Sequence, residues 1–168
     1  GLSSRTEIRG TLVDFKTSGK WVVAYADNYS EGAYYLATAA DRVFMNPEGQ
    51  LELNGLAIDV MFFKRMFDKL EIKPQIFRVG DFKSAVEPFV REDLSAENKL
   101  QLNSMLQSIY DNMLAGISES RKIPKEKPRD LANTMKIRHG QQAVEAGLID
   151  DLYYQDQVRS DIAERLGL

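Results

Sequence analysis

Residues 21–45 read WVVAYADNYSEGAYYLATAADRVFM. The first six, WVVAYA, are a nearly continuous apolar run, which suits a strand buried on both faces of a parallel sheet. A polar turn follows at 27–30. Residues 32–40, GAYYLATAA, are rich in small and aromatic side chains and show no polar face, which predicts a buried helix. Val43, Phe44 and Met45 then predict a short strand, stopped by Asn46, Pro47, Glu48 and Gly49. Strand, buried helix and strand in that order argue an α/β fold.

The same alternation continues on both sides. Ser4 and Glu7 have capping-box spacing, and Ile8, Leu12 and Phe15 recur at helical intervals up to Gly19, so residues 5–18 are a predicted helix. Residues 51–53 start another strand, which Gly55 breaks. VMFFKRMFDKL at 60–70 is amphipathic and predicts a helix, and 72–79 predicts a strand. Ser95 can cap a long helix whose apolar stripe is Leu102, Met105, Leu106, Ile109, Met113 and Ile117. A solvated connector spans 121–128, and Pro128 can open a short helix through Leu131. Another helix covers 140–146 and stops at Gly147; 148–150 is extended; the last helix carries Val158, Ile162 and Leu166. There is no repeat or low-complexity segment, so residues 1–168 read as a single domain.

Composition removes several function classes. With 43% apolar and 28% charged residues the 168-residue chain is ordinary for a globular domain. A net charge of −3 offers no basic face, so nucleic acid is not an expected partner. The absence of cysteine rules out disulfides and thiolate metal sites. A lone histidine, His139, argues against a His-based triad or a multi-His metal site, and its place before Gly140 suggests that it caps or packs at a helix start. The acidic pairs Glu92–Asp93 and Asp150–Asp151 are adjacent in sequence and rarely converge on one ion, and no clustered glycines form a phosphate loop, so neither metal nor cofactor is expected. No apolar run reaches the roughly 18–20 residues of a membrane span. The chain begins Gly-Leu-Ser-Ser without a leader, and we read it as a fragment of something longer, incomplete at its N-terminus.

The candidate chemistry centres on FRVGDFKSAVEPF at 77–89. Lys83 follows a strand-like run ending at Gly80 and sits among apolar neighbours. Burial disfavours an ammonium, so such a lysine can become a proton acceptor. Bringing a lysine from its ordinary value to neutrality would cost about 4–5 kcal/mol, which only a packed site sustains. The plainer reading is a surface lysine that lays its stem over Phe82. A serine needs a base to take its proton, and a neutral lysine can serve without histidine. Ser30, at a turn before a buried helix, is the best-placed serine; Ser84 abuts Lys83 but would point elsewhere.

RVGDFKSAVEPFVREDLS resembles the lysine segment of the signal peptide peptidase A (protease IV) family. SGKWVVAYADNYSEGAYYLATAADRVFMNPEG resembles the family's stretch around its nucleophile, and GLID its closing segment. The resemblance implies a ClpP/crotonase-like fold, a spiral of ββα units. It also implies a Ser–Lys dyad endopeptidase that degrades cleaved signal peptides. In long-form members the N-terminal half supplies the lysine and the C-terminal half the serine, and Lys83 matches the lysine. The nucleophile motif A-S-G-G-Y departs here to Ser30–Glu31–Gly32–Ala33–Tyr34, with Glu31 in the serine's place and Ser30 one residue early. A later family segment, T-G-S-I-G, matches Leu53, Asn54, Gly55, Leu56 and Ala57, with Gly55 where the serine stands. Leu53, Asn54, Gly55, Leu56 and Gly80 are accordingly expected to border a groove for hydrophobic peptides. The fragment is expected to have little activity by itself. The expected partners are signal-peptide substrates, the serine-bearing C-terminal half and further copies of the chain in a homo-oligomer. The expected location is the cell envelope, anchored to the inner membrane through a segment outside this chain. The alternatives are a structural or oligomerisation domain in which Lys83 has no catalytic part, a self-contained hydrolase using Ser30, and an acyl-CoA enzyme with a backbone oxyanion hole.

Overall fold

The computed structural model describes residues 2–75 and 84–168, excluding the side chain of Leu2. Gly80, Lys83 and the second half of the strand expected at 72–79 lie outside the described residues. The chain forms two compact units, Gly1–Gly55 with Asn112–Leu168, and Leu56–Asp111.

The first unit is mixed α/β. Helix α1 (Leu2–Lys16) leads to strand β1 (Val23–Ala26), helix α2 (Glu31–Ala37) and strand β2 (Arg42–Met45). β1 and β2 are parallel, with Val23 opposite Arg42 and Ala26 opposite Met45. A two-residue strand, β3 (Asp151–Leu152), lies parallel on the other side of β2, opposite Phe44 and Met45. The sheet order among the described residues is β1-β2-β3, so the central strand is the apolar VFM run, and all three of its side chains are buried. Tyr34 on α2 is wholly buried and donates its hydroxyl to Leu148 O at 2.6 Å. The Arg9 guanidinium on α1 lies 5.1 Å from the centre of the Tyr35 ring.

The second half of the long helix α5 (Ala96–Arg121) adds Met113, Leu114 and Ile117 to this core. Helices α6 (Glu126–Asn133), α7 (Gly140–Glu145) and α8 (Gln155–Leu166) complete the unit. α6 starts two residues before the expected Pro128, which falls in the first turn, where its missing N–H leaves no intrahelical bond unmade.

Two expected strands take a different form. Residues 51–53 are not a strand: Leu51 makes an isolated parallel bridge to Tyr29, because its partner is the 27–30 turn rather than an extended strand. Residues 148–150, expected to be extended, are a run of bends that precedes the ladder proper. There the Asp150 N–H donates to Val43 O at 2.8 Å, and the Asp150 carboxylate accepts the Val43 N–H at 2.7 Å. That exchange delays β3 to Asp151.

The second unit holds helix α3 (Lys64–Lys69), a 3-10 turn (Ser84–Val86), helix α4 (Glu87–Val90) and the start of α5. The helix expected at 60–70 shrinks to six residues, because the Phe63 N–H is taken by Pro88 O at 2.7 Å and holds the chain out of helix before Lys64. Phe63, Phe67 and Phe89 cluster with ring centres 6.0–6.5 Å apart. Ser95 caps α5 as expected, its Oγ accepting the Asn98 N–H at 3.1 Å. Among the described residues no helix is long and apolar enough to cross a membrane.

Candidate functional site

The turn between β1 and α2 is held from below by Tyr29. Its ring is buried edge-on to Tyr34, and its hydroxyl donates to Phe44 O at 3.1 Å. Burial pushes both phenols well above their ordinary range, so they act as neutral donors. With Tyr29 fixed, the next two residues have little freedom. Ser30 is extended and exposed, and its Oγ accepts the Ala33 N–H at 3.4 Å as the N-cap of α2.

Glu31 is the first residue of α2 and only 9% exposed. Its Oε2 accepts the Gly55 N–H at 3.1 Å. Gly55 has φ +93°, a left-handed conformation that turns this N–H toward the helix start and that a side chain would strain. A carboxylate at the N-terminus of a helix, facing a backbone donor, is electrostatically at ease there. Gly32 completes the corner, because a Cβ at that position would run into the Arg5 guanidinium from α1.

The structure therefore brings Ser30, Glu31 and Gly55 together. Leu53, two residues before Gly55, is buried in the core, while Asn54 is exposed. Leu56 is exposed and belongs to the second unit, and Gly80 and Lys83 lie outside the described residues. His139 is the N-cap of α7, and its backbone N–H donates to Gln142 Oε1 at 3.2 Å, the capping position its sequence context suggested. Among the described residues no group of three His, Cys, Asp or Glu could hold a metal ion.

Two features were not read from the sequence. Arg5 reaches Gly32 from 27 residues upstream, and no local pattern marks it. Glu87 is 2% exposed and accepts hydrogen bonds from Ser95 Oγ at 2.5 Å, Ser95 N at 3.1 Å and Asn98 Nδ2 at 2.9 Å. Burial acts to raise its carboxyl, but these donors and the nearby Arg91 charge outweigh it and hold the group below the ordinary carboxylate value. The Ser-x-x-Asn spacing at 95–98 was the one available signal, since it marks a helix start whose polar side chains need a partner.

A family model described as peptidase family S49 matches residues 14–168. Protease 4 of Haemophilus influenzae is 48% identical over 120 residues, which cover 71% of this chain and 20% of that protein. Protease 4 of Salmonella typhi is 40% identical over 112 residues, 67% of this chain and 18% of that protein. The chloroplastic serine protease SPPA of Arabidopsis thaliana is 35% identical over 162 residues, 96% of this chain and 24% of that protein. The chain spans about a fifth of the length of these relatives.

Proposed function

The chain belongs to peptidase family S49, and from that premise we propose that it supplies the general base of a Ser–Lys dyad, with Lys83 as the base and the nucleophilic serine on another part of the protein. In this reading the neutral Lys83 amine takes the serine proton as Oγ attacks a peptide carbonyl. The resulting ammonium returns the proton to the leaving amine. A water that Lys83 then deprotonates releases the acyl group and regenerates the serine. The substrates are hydrophobic peptide segments such as cleaved signal peptides. Asn54 and Gly55, beside Glu31, border the groove that holds them, and Leu53, buried in the core, does not. The same reading carries the ClpP/crotonase-like spiral, a homo-oligomer and attachment to the inner membrane of the cell envelope through a segment outside this chain.

The observation that supports the division of labour is Glu31. The turn that would present a nucleophile carries a carboxylate instead, buried and engaged with the Gly55 N–H. A carboxylate placed there leaves no serine at that position for Lys83 to activate. Ser30 favours a second reading, a self-contained dyad, because it is exposed at the N-terminus of α2.

Hydrolysis of a fluorogenic peptide ester separates the two. The measurement compares this chain with the longer protein that contains it, each as wild type, Lys83→Ala and Ser30→Ala. The split dyad requires turnover by the longer protein only, silenced by Lys83→Ala and indifferent to Ser30→Ala. Turnover by this chain that Ser30→Ala abolishes would overturn it. Full activity of the Lys83→Ala protein would make the chain a structural or oligomerisation domain.

A further inference from the structure

Glu87 is a buried carboxylate that the proposed dyad does not use, and its position in the chain gives it a role. Lys83 is followed directly by the 3-10 turn Ser84–Val86, and Glu87 opens the helix after that turn. Both carboxylate oxygens are committed to the start of α5: Oε1 accepts Ser95 Oγ–H, and Oε2 accepts the Ser95 N–H and the Asn98 side-chain amide. Ser95 Oγ in turn accepts the Asn98 N–H, so one clasp closes the α5 cap and holds α4 against it. Two further ties fix the same segment. Pro88 O accepts the Phe63 N–H, and Glu92 accepts both Nε and Nη2 of Arg65 at 2.9 and 2.7 Å.

An apolar side chain would be enough to bury α4. Three directional donors on one carboxylate do more, because they fix the rotation of the segment as well as its depth. That is what a segment delivering a base needs, since general-base chemistry tolerates a misplacement of only about 0.5 Å. We infer that Glu87 is a positioning residue for Lys83: the clasp with Ser95 and Asn98 sets the downstream anchor from which the lysine is presented. The inference rests on the reading of Lys83 as the base.

The test uses the longer protein that contains this chain, with kcat, KM and the pH profile of kcat/KM on a peptide ester for wild type, Glu87→Gln, Ser95→Ala, Ser95→Thr and Lys83→Ala. A Gln amide has one acceptor oxygen where the carboxylate has two, so it cannot accept the Ser95 Oγ–H and both N–H groups together, and the clasp weakens at constant size. Glu87→Gln is expected to lower kcat by about 10- to 100-fold and to leave KM within about threefold, the pattern of a lost transition-state interaction. A lysine released toward water holds its proton more tightly, so the rise of kcat/KM with pH moves to higher pH. Ser95→Ala, which removes one donor, shifts both readouts the same way by less, and Ser95→Thr, which keeps the hydroxyl, restores most of the loss. Should Glu87→Gln fail to fold, the Ser95 pair carries the test without it. If Lys83→Ala silences the enzyme while Glu87→Gln and Ser95→Ala keep the wild-type kcat and pH profile, the positioning role is overturned and the base assignment stands. If Lys83→Ala stays active, the base assignment falls and the positioning role falls with it.

Discussion

Glu31 opens α2 as a buried carboxylate, and its energetics are those of a brace. Its carboxylate is buried against the Gly55 N–H, so removing it leaves a donor without its acceptor. Glu31→Ala is expected to destabilise the chain by about 1–3 kcal/mol, read as a lower midpoint in chemical denaturation with an unchanged slope. Gly32 beside it gives the opposite expectation. The three atoms nearest a Cβ there all belong to the end of the Arg5 side chain, and Arg5 is exposed. Gly32→Ala should therefore displace the guanidinium at a loss below about 1 kcal/mol, and Gly32→Ala should cost less still in an Arg5→Ala background. A double-mutant cycle with no coupling between the two positions would show that they do not meet. The identity of Glu31 was legible from its place in YSEGAYY, but its partner was not. Gly55 is 24 residues away, and nothing in local pattern says which backbone donor a buried carboxylate finds.

At the scale of elements, the ladder of the first unit is finished by side chains as much as by backbone. Asp150 accepts the Val43 N–H and an Arg121 Nη1–H at 2.9 Å, while Arg121 Nε–H donates to Gly147 O at 3.1 Å. Burial acts to raise the Asp150 carboxyl, but the Arg121 hydrogen bond, the Val43 N–H and the Arg121 and Arg42 charges hold it below its ordinary value. A carboxyl whose value is lowered on folding stabilises the fold above its unfolded pKa and loses that contribution as pH falls through the folded one. Asp150→Asn should thus cost about 2–3 kcal/mol at neutral pH, with the gap to wild type closing below about pH 4. Thermal unfolding of both proteins at several pH values checks this, and a gap that stays constant down to acid would show that the charge is not what matters. The helix and strand alternation around residues 21–45 was readable because α2 and β2 are buried and leave apolar runs, but β1, expected to be buried on both faces, is only half-buried at every residue. The failures came where backbone groups were claimed by distant partners. Pro88 shortens α3 through Phe63, and Tyr29 holds residues 50–52 as a single bridge.

At the scale of the molecule, the two units differ in what holds them. The first unit is assembled from two segments far apart in sequence around Tyr34, the β2 strand, Ile117, Leu148 and Ile149, all buried. In the second unit, Tyr110 is the one buried apolar side chain among the described residues, whereas Met61, Leu70 and Leu100 are 73%, 60% and 70% exposed. Its order rests instead on the partly exposed Phe63–Phe67–Phe89 cluster and on polar ties: the Glu87 clasp, the Arg65–Glu92 fork and the Lys64–Asp68 pair at 2.7 Å. Exposed ion pairs contribute little to stability, and a unit with few buried apolar groups opens at a lower free energy than one with a core. Native-state hydrogen exchange in rising denaturant should therefore find the amides of α3 and α4 exchanging through a sub-global opening. The β2 amides of Val43 and Met45, buried at the centre of the sheet, should exchange only with global unfolding. Glu87→Gln should lower the opening free energy of the second unit and leave that of β2 unchanged, since its partners Ser95 and Asn98 lie within the same unit. Equal exchange free energies in both units, moving together on that substitution, would mean that the chain unfolds as one cooperative body and that the polar clasp is no weaker than the core.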